Sequence, residues 1–304
     1  PSVSRAGVAN ALALATAGPG GPAVPDGSVE DTSHTPRPLP AGWAQVRSLL
    51  DSTVRDVADE GYELAACVVA IDSPGEERVC AGEDEPVYSA SVIKVAFAVG
   101  ALEAWDGDPD AETPSARLGD ILEPAITVSD NDAANELYYL TVQGPTAPDT
   151  DDPIEALCDI ADRAGLDEGF HSGGAFDYAW TGDYSRITAR GSAGYLTELV
   201  RAADGRAEPG EELTSPEIAR QVLALMLRQE RDWKLPALLP AGSIANKTGE
   251  VDEVSHDIAV VNTASGRYAI AVVSSSNSLY STPDEYMSEL ARDVVDALGG
   301  PVRF

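Results

Sequence analysis

The chain has 304 residues, with 51 acidic side chains against 20 basic ones and a formal net charge of −31, so polyanions are repelled and nucleic acid is not an expected partner. No apolar run is long enough to cross a bilayer, and the length suffices for one large domain or two lobes around a substantial core. The acidic, lysine-poor composition suits solubility in high salt and equally fits a genome rich in arginine and alanine codons.

Residues 1–40, rich in Pro, Gly, Ala and Ser, read as a flexible tail. Inside it, residues 11–14 (Ala-Leu-Ala-Leu) followed by Ala15-Thr16-Ala17, with Arg5 upstream, have the look of a short export signal. That reading makes the protein extracytoplasmic, but an ordinary flexible N-terminus accounts for the same residues. Trp43, Val46, Leu49, Leu50, Val54 and Val57 recur at helical spacing and predict a first helix over about 42–59. Residues 64–72 and 77–81 predict an antiparallel hairpin around Ser73-Pro74-Gly75-Glu76. A helix from Ser91 to about Trp105 is apolar nearly all round (Val92, Ile93, Val95, Ala96, Phe97, Val99), which marks it as buried.

Leu118, Ile121 and Leu122 predict a short helix, residues 135–141 continue helically, and 144–153 form a loop. Ile154, Leu157, Cys158 and Ala161 carry a helix to Gly165, and 167–187 read as irregular. Helices follow at about 189–203 and 216–230, then strands at 243–249, 256–263 and 267–275. Tyr286, Leu290, Val294, Val295 and Leu298 make a closing helix. Strands at both ends with helices between them imply an α/β fold, an antiparallel sheet flanked by helices with an inserted all-α lobe. The α/β lobe takes residues 41–106 plus 212–304 and the helical lobe 107–211. A monomer is expected.

Cys67, Cys80 and Cys158 make an odd count. Cys67 and Cys80 flank the hairpin, and pairing them directly requires a turn centred between Ser73 and Pro74. A turn on Pro74-Gly75 puts them out of register, so buried free thiols are the favoured expectation. His34, His171 and His256 are too scattered for a zinc site and no Gly-rich phosphate loop occurs, so no metal or nucleotide cofactor is indicated.

Only three lysines occur, and two of them stand in Ser91-Val92-Ile93-Lys94 and Lys247-Thr248-Gly249, with Ser129-Asp130-Asn131 between. Chance yields Ser-Asp-Asn in roughly one chain in twenty of this composition and Lys-Thr-Gly in roughly one in seventy; all three motifs together fall to the order of one in several thousand. A lysine one turn after a serine shares its helix face, so an amine whose charge is suppressed can take the hydroxyl proton. Ser91 then reads as a nucleophile that forms an acyl-enzyme, and Lys94 as its general base, with a pKa depressed by burial and by Lys247. As an alternative, Ser91 is a helix cap; the two roles are compatible.

These motifs, with Val68-Val69-Ala70-Ile71-Asp72, Ala125-Ile126-Thr127-Val128 before Ser129, and His256-Asp257-Ile258-Ala259-Val260-Val261, resemble the class A β-lactamases and related penicillin-binding serine hydrolases over residues 41–304. The resemblance implies that Ser129 passes a proton to the departing nitrogen and that Asn131 orients the substrate amide. The bland reading of that triplet is a capped turn. Lys247 and Thr248 are expected to bind a substrate carboxylate, with Gly249 admitting the substrate backbone. By analogy the backbone N–H groups of Ser91 and Glu250 form the oxyanion hole. His256 would add a second carboxylate contact where many relatives place an arginine, or else merely pair strands.

Two departures stand out. The family's Glu-x-x-x-Asn pattern for the deacylating water is not found in residues 160–190, where Glu168 is the nearest candidate and Asp177 and Asp183 are lesser ones, and only 37 residues separate Ser91 from Ser129. Three functions are therefore carried forward: a serine hydrolase of the class A β-lactamase family acting on β-lactams or similar amides, a penicillin-binding D,D-peptidase acting on peptidoglycan stem peptides, and an idle binding protein that kept the fold.

Overall fold

The computed structural model describes residues 39–304 apart from positions 74, 76, 83, 167–168, 176–183, 208–209, 252 and 277–282. The expected tail of residues 1–40, with its export signal, thus lies almost wholly outside the described residues, as do Glu168, Asp177 and Asp183. Helix α1 (Trp43–Asp59) precedes strands β1 (Tyr62–Ala70), β2 (Arg78–Ala81) and β3 (Val87–Tyr88). A 3₁₀ turn (Ala90–Ile93) leads into α2 (Lys94–Ala104), followed by α3 (Leu118–Thr127), α4 (Asn131–Leu140) and α5 (Pro153–Arg163). Short strands β4 (Phe170–His171) and β5 (Arg186–Ile187) precede α6 (Ala189–Asp204) and α7 (Pro216–Met226). Strands β6 (Ile244–Val251), β7 (Val254–Thr263) and β8 (Gly266–Ser276) and helix α8 (Asp284–Ala297) complete the chain.

The main sheet is antiparallel with strand order β2-β1-β8-β7-β6, so β6 is an edge strand. Both of its faces are covered, and the period-two alternation of side chains along β1 shows it. Leu64, Ala66, Val68 and Ala70 join one apolar cluster with Val46 and Leu50 of α1 and Leu290 and Val294 of α8. Ala65, Cys67 and Val69 join the other, with α2, α3, α4, α6 and α7. Strand β1 therefore reads as a continuous apolar run because it is buried on both sides.

Helix α2 is the hub of the helical layer, with ten of its eleven residues buried, from Lys94 to Ala104. The expected helix 216–230 ends earlier, at Met226, because the chain that follows turns to bond with the end of α3. The expected irregular stretch contains β4 and β5, two-residue strands too short to show periodicity, which pair with β3 in a small second sheet.

The expectation of free thiols at Cys67 and Cys80 is overturned. The hairpin pairs Cys67 with Cys80 and Val68 with Val79, which centres the turn between Ser73 and Pro74, and the two sulfurs form a disulfide. Cys158 stands outside this disulfide, with its Sγ 3.6 Å from Ser172 O. Among the described residues no helix is long and apolar enough to cross a membrane, and no group of three or more His, Cys, Asp or Glu side chains is arranged to hold a metal ion.

Candidate active site

Ser91 sits in the 3₁₀ turn that opens α2, one turn before Lys94. Ala90, next to it, has φ 44° and Ser129 has φ 63°, a left-handed region that residues with a Cβ rarely adopt. Such backbone costs roughly 1–3 kcal/mol per residue and persists only where surrounding structure enforces it. Strand β6 packs closely against the turn that contains Ala90. A Cβ on Gly249 would lie 2.8 Å from the Ser89 carbonyl oxygen and 3.0 Å from the Val92 nitrogen. The missing side chain thus lets the serine turn approach β6.

The Ser129 turn is held from the other side. Gln229 Nε2 donates to Ile126 O at 2.9 Å, Glu230 N to Thr127 O at 2.8 Å and Arg231 Nε to Val128 O at 3.1 Å. These bonds satisfy carbonyls that the end of α3 leaves unpaired. Asp130 then caps α4 by accepting from Ala133 N at 2.8 Å. The capped-turn reading of Ser-Asp-Asn holds at Asp130, while Ser129 and Asn131 turn to Lys94.

Lys94 is fully buried, and its Nζ donates to Ser129 O at 2.6 Å, Asn131 Oδ1 at 2.7 Å and Asp130 O at 3.1 Å, with Ser129 Oγ at 3.3 Å. Burial pulls its pKa down to about 7; the Asp130 charge opposes the shift and the Arg231 charge adds to it. Arg231 thus joins Lys247 as a neighbouring cation, since Lys94 and Lys247 each disfavour the other's charge. Lys247 is also fully buried, and its Nζ donates to Ser129 Oγ and to Thr248 O, each at 2.8 Å. Burial and Lys94 hold its pKa well below the ordinary lysine value.

Ser91, Ser129, Asn131, Thr248, Arg231 and Glu250 line one open cleft of about 110 Å³. Three larger hollows, one between α1, β1 and β8, one between α2 and α5 and one lined by Leu227, Trp233 and Asn246, contain none of the motif residues. Lys94 and Lys247 lie behind the cleft wall. Lys247 contacts the hydroxyl of Ser129, and the cationic group lining the cleft is Arg231.

His256 does not reach the cleft. It is fully buried, with Nε2–H donating to Tyr88 O at 2.8 Å and Nδ1 accepting from Ser274 N at 3.2 Å, so neither nitrogen is left for a carboxylate. Burial, outweighing the bond to Tyr88, lowers its pKa to about 4, which keeps the ring neutral. Its role here is to tie β7 to the segment just before Ser91.

Sequence reasoning missed Lys234 and Arg231 and gave the side chain of Glu250 no role. Lys234 is fully buried, and its Nζ lies 2.8 Å from Glu250 Oε2 and donates to His256 O at 3.2 Å. The other Glu250 oxygen pairs with Arg231, whose guanidinium also lies over the Trp233 ring. Burial works to raise the Glu250 pKa, but Lys234 and Arg231 outweigh it and hold the carboxyl below the usual glutamate value. All three lysines of the chain are thus buried at this site, and their scarcity elsewhere was the signal that could have found the third.

The sheet order, the covering helices and this cleft define the fold of the β-lactamase and penicillin-binding serine hydrolase superfamily. Residues 109–298 match the model of the β-lactamase enzyme family, and the chain belongs to that family. Among solved structures it is similar to the β-lactamase of Sphaerobacter thermophilus, at 20% identity over 83% of this chain and 96% of that one, with a TM-score of 0.66. A β-lactamase from Xanthomonas campestris pv. campestris gives 18% identity, 84% and 99% coverage and a TM-score of 0.64. The protein PBP-A gives 21% identity, 86% and 98% coverage and a TM-score of 0.64. No curated protein matches the chain.

Proposed function

We propose that the protein is a serine hydrolase of the class A β-lactamase kind, acylated on Ser91 by the amide of a β-lactam or a similar small molecule. The observation that carries this reading is the convergence of Lys94 and Lys247 on the hydroxyl of Ser129, in a wall of the cleft that Ser91 shares. In acylation the Ser91 oxygen bonds to the substrate carbonyl carbon and its proton passes to the neutral amine of Lys94. The carbon–nitrogen bond then breaks, and the Ser129 hydroxyl, backed by Lys247, delivers a proton to the departing nitrogen. Asn131 holds the substrate amide, Thr248 and Arg231 face its far end, and the N–H groups of Ser91 and Glu250 receive the developing oxyanion. Water then releases the acyl group.

A penicillin-binding D,D-peptidase is favoured by one specific feature. Among the described residues lining the cleft the carboxylate is Glu250, and its two ion pairs make it a weak base for activating a deacylating water. A labelled penicillin at saturating concentration, followed by intact-mass spectrometry, tests both readings. Rapid turnover supports the hydrolase, a long-lived adduct on Ser91 the peptidase, and no adduct overturns both in favour of a binding protein. The Cys67–Cys80 disulfide supports an extracytoplasmic location, since such bonds persist in oxidising compartments.

A further inference from the structure

Two walls of the cleft come from different parts of the fold, the Ser129 turn after α3 and the edge strand β6, and one side chain joins them. Arg231 donates from Nε to the carbonyl just before Ser129, Val128 O, at 3.1 Å, and pairs through Nη1 with Glu250, the residue just after Gly249. Both anchors are fixed. The end of α3 also receives Gln229 Nε2 at Ile126 O, at 2.9 Å, and Glu230 N at Thr127 O, at 2.8 Å, while Glu250 is held by the fully buried Lys234 at 2.8 Å. The arginine itself has little freedom, since its backbone N–H donates to Gln229 Oε1 at 3.1 Å and its guanidinium lies over the Trp233 ring, 5.6 Å from the centroid. A planar fork of donors holds two acceptors at a set angle, which a lysine ammonium on its flexible stem does not reproduce.

We propose that Arg231 is a positioning residue for the acylation step: its guanidinium is a strut across the cleft that fixes the gap between the Ser129 turn and the Thr248–Glu250 stretch of β6, where the substrate amide is received. The proposal deepens the serine-acylation reading and rests on it. Ser129 Oγ is bonded to Lys247 of β6 at 2.8 Å, so a change in the gap is felt at the hydroxyl that delivers the proton. The guanidinium is also one of the charged groups that act on Lys94, with Asp130 and Lys247, and it disfavours the protonated amine. Removing it therefore alters spacing and charge together, whereas replacing it with lysine alters the spacing alone.

The test compares the wild type, Arg231→Gln and Arg231→Lys in acylation of the full-length protein by benzylpenicillin and by its carboxyl methyl ester, followed by mass spectrometry. The ester lacks the anion that a cleft cation would bind directly, so a strut and a substrate contact predict different patterns. On the alkaline plateau of each pH profile, both variants are expected to react about ten- to a hundredfold more slowly than the wild type with either compound, the range that misplacement on the ångström scale brings. The acidic limb is expected to move to higher pH in Arg231→Gln, which has lost a like charge near Lys94, and to stay in place in Arg231→Lys. The bonds of Gln229, Glu230 and Lys234 survive in both variants, so both are expected to fold, and partial unfolding of a preparation cancels from the ratio of its two rates. A loss seen with benzylpenicillin and absent with the ester would mean that Arg231 acts by touching the substrate carboxylate, and wild-type rates in Arg231→Lys would mean that charge alone suffices. Either result, or a limb that stays in place in Arg231→Gln, overturns the strut while Ser91 remains a nucleophile. If the ester is inert toward the wild type, Arg231→Lys with benzylpenicillin decides alone, because it keeps the cation and loses the fork. If neither compound labels Ser91 of the wild type, the acylation reading falls and takes this proposal with it.

Discussion

The Lys247 ammonium nitrogen stands 2.8 Å from Ser129 Oγ, across 118 residues of chain, and the Lys94 nitrogen approaches the same oxygen at 3.3 Å. A hydroxyl flanked by two buried amines is placed to relay a proton. Lys247 keeps a second acceptor, Thr248 O at 2.8 Å, and Lys94 keeps Ser129 O and Asn131 Oδ1, so removing the hydroxyl leaves both amines bonded. Ser129→Ala is therefore expected to fold, and to lower the acylation rate by about 10²–10⁴, the usual contribution of a positioned proton donor. Wild-type acylation kinetics in this variant would remove Ser129 from the mechanism.

The depressed pKa of Lys94 sets the pH dependence. With a value of about 7, the amine is protonated and inactive as a base at pH 5 to 6 and mostly neutral by pH 8. Acylation is expected to rise with pH through about 7 and then level off, with close to a tenfold change per pH unit on the acidic limb. Lys94→Met should abolish that limb along with most of the rate. A stopped-flow profile that stays flat from pH 5 to 8 would contradict Lys94 as base.

Most of the fold was legible because its elements carry strong periodic signals. Helix α1 has Val46, Leu50 and Val57 on one face, and β1 is a run of β-branched and small residues buried on both sides. The three motifs were legible because Ser91, Lys94, Ser129 and Lys247 are chemically unusual in their settings. What could not be read depends on tertiary neighbours. Arg231 stands in a stretch with no motif, and only the bonds of residues 229–231 to the end of α3 bring it to the cleft. His256 looked like a substrate ligand, but its side chain points into the protein, where two backbone groups take both nitrogens. The pairing of Cys67 with Cys80 hung on one residue of turn register, which Pro74-Gly75 obscured.

Gly249 offers a test of how the serine turn is positioned. An added methyl group would meet Ser89 O at 2.8 Å and Val92 at 3.0 Å, contacts with backbone that cannot rotate away. Gly249→Ala should push β6 and the turn apart by a few tenths of an ångström or more. Misplacement on the ångström scale costs about a hundredfold in turnover where geometry is demanding. Acylation of Ser91 is expected to fall toward that extent, with only a modest loss of thermal stability. Unchanged kinetics would show that the turn tolerates a shift.

The Cys67–Cys80 bond should contribute to stability without touching the cleft. It links residues 13 apart, and closing a loop of that size removes chain entropy from the unfolded state worth ~3 kcal/mol. Each kcal/mol corresponds to about 2–4 °C in a domain of a few hundred residues, so Cys67→Ala with Cys80→Ala is expected to lower the melting temperature by about 6–12 °C. The paired residues lie on β1 and β2, at the opposite edge of the sheet from β6, so acylation at 25 °C should be unaffected. Thiol titration of the denatured protein should find one free group, Cys158, before reduction and three after it. Three free thiols in the unreduced, freshly purified protein would refute the pairing, and an unchanged melting temperature would mean that the unfolded chain is already constrained around this hairpin.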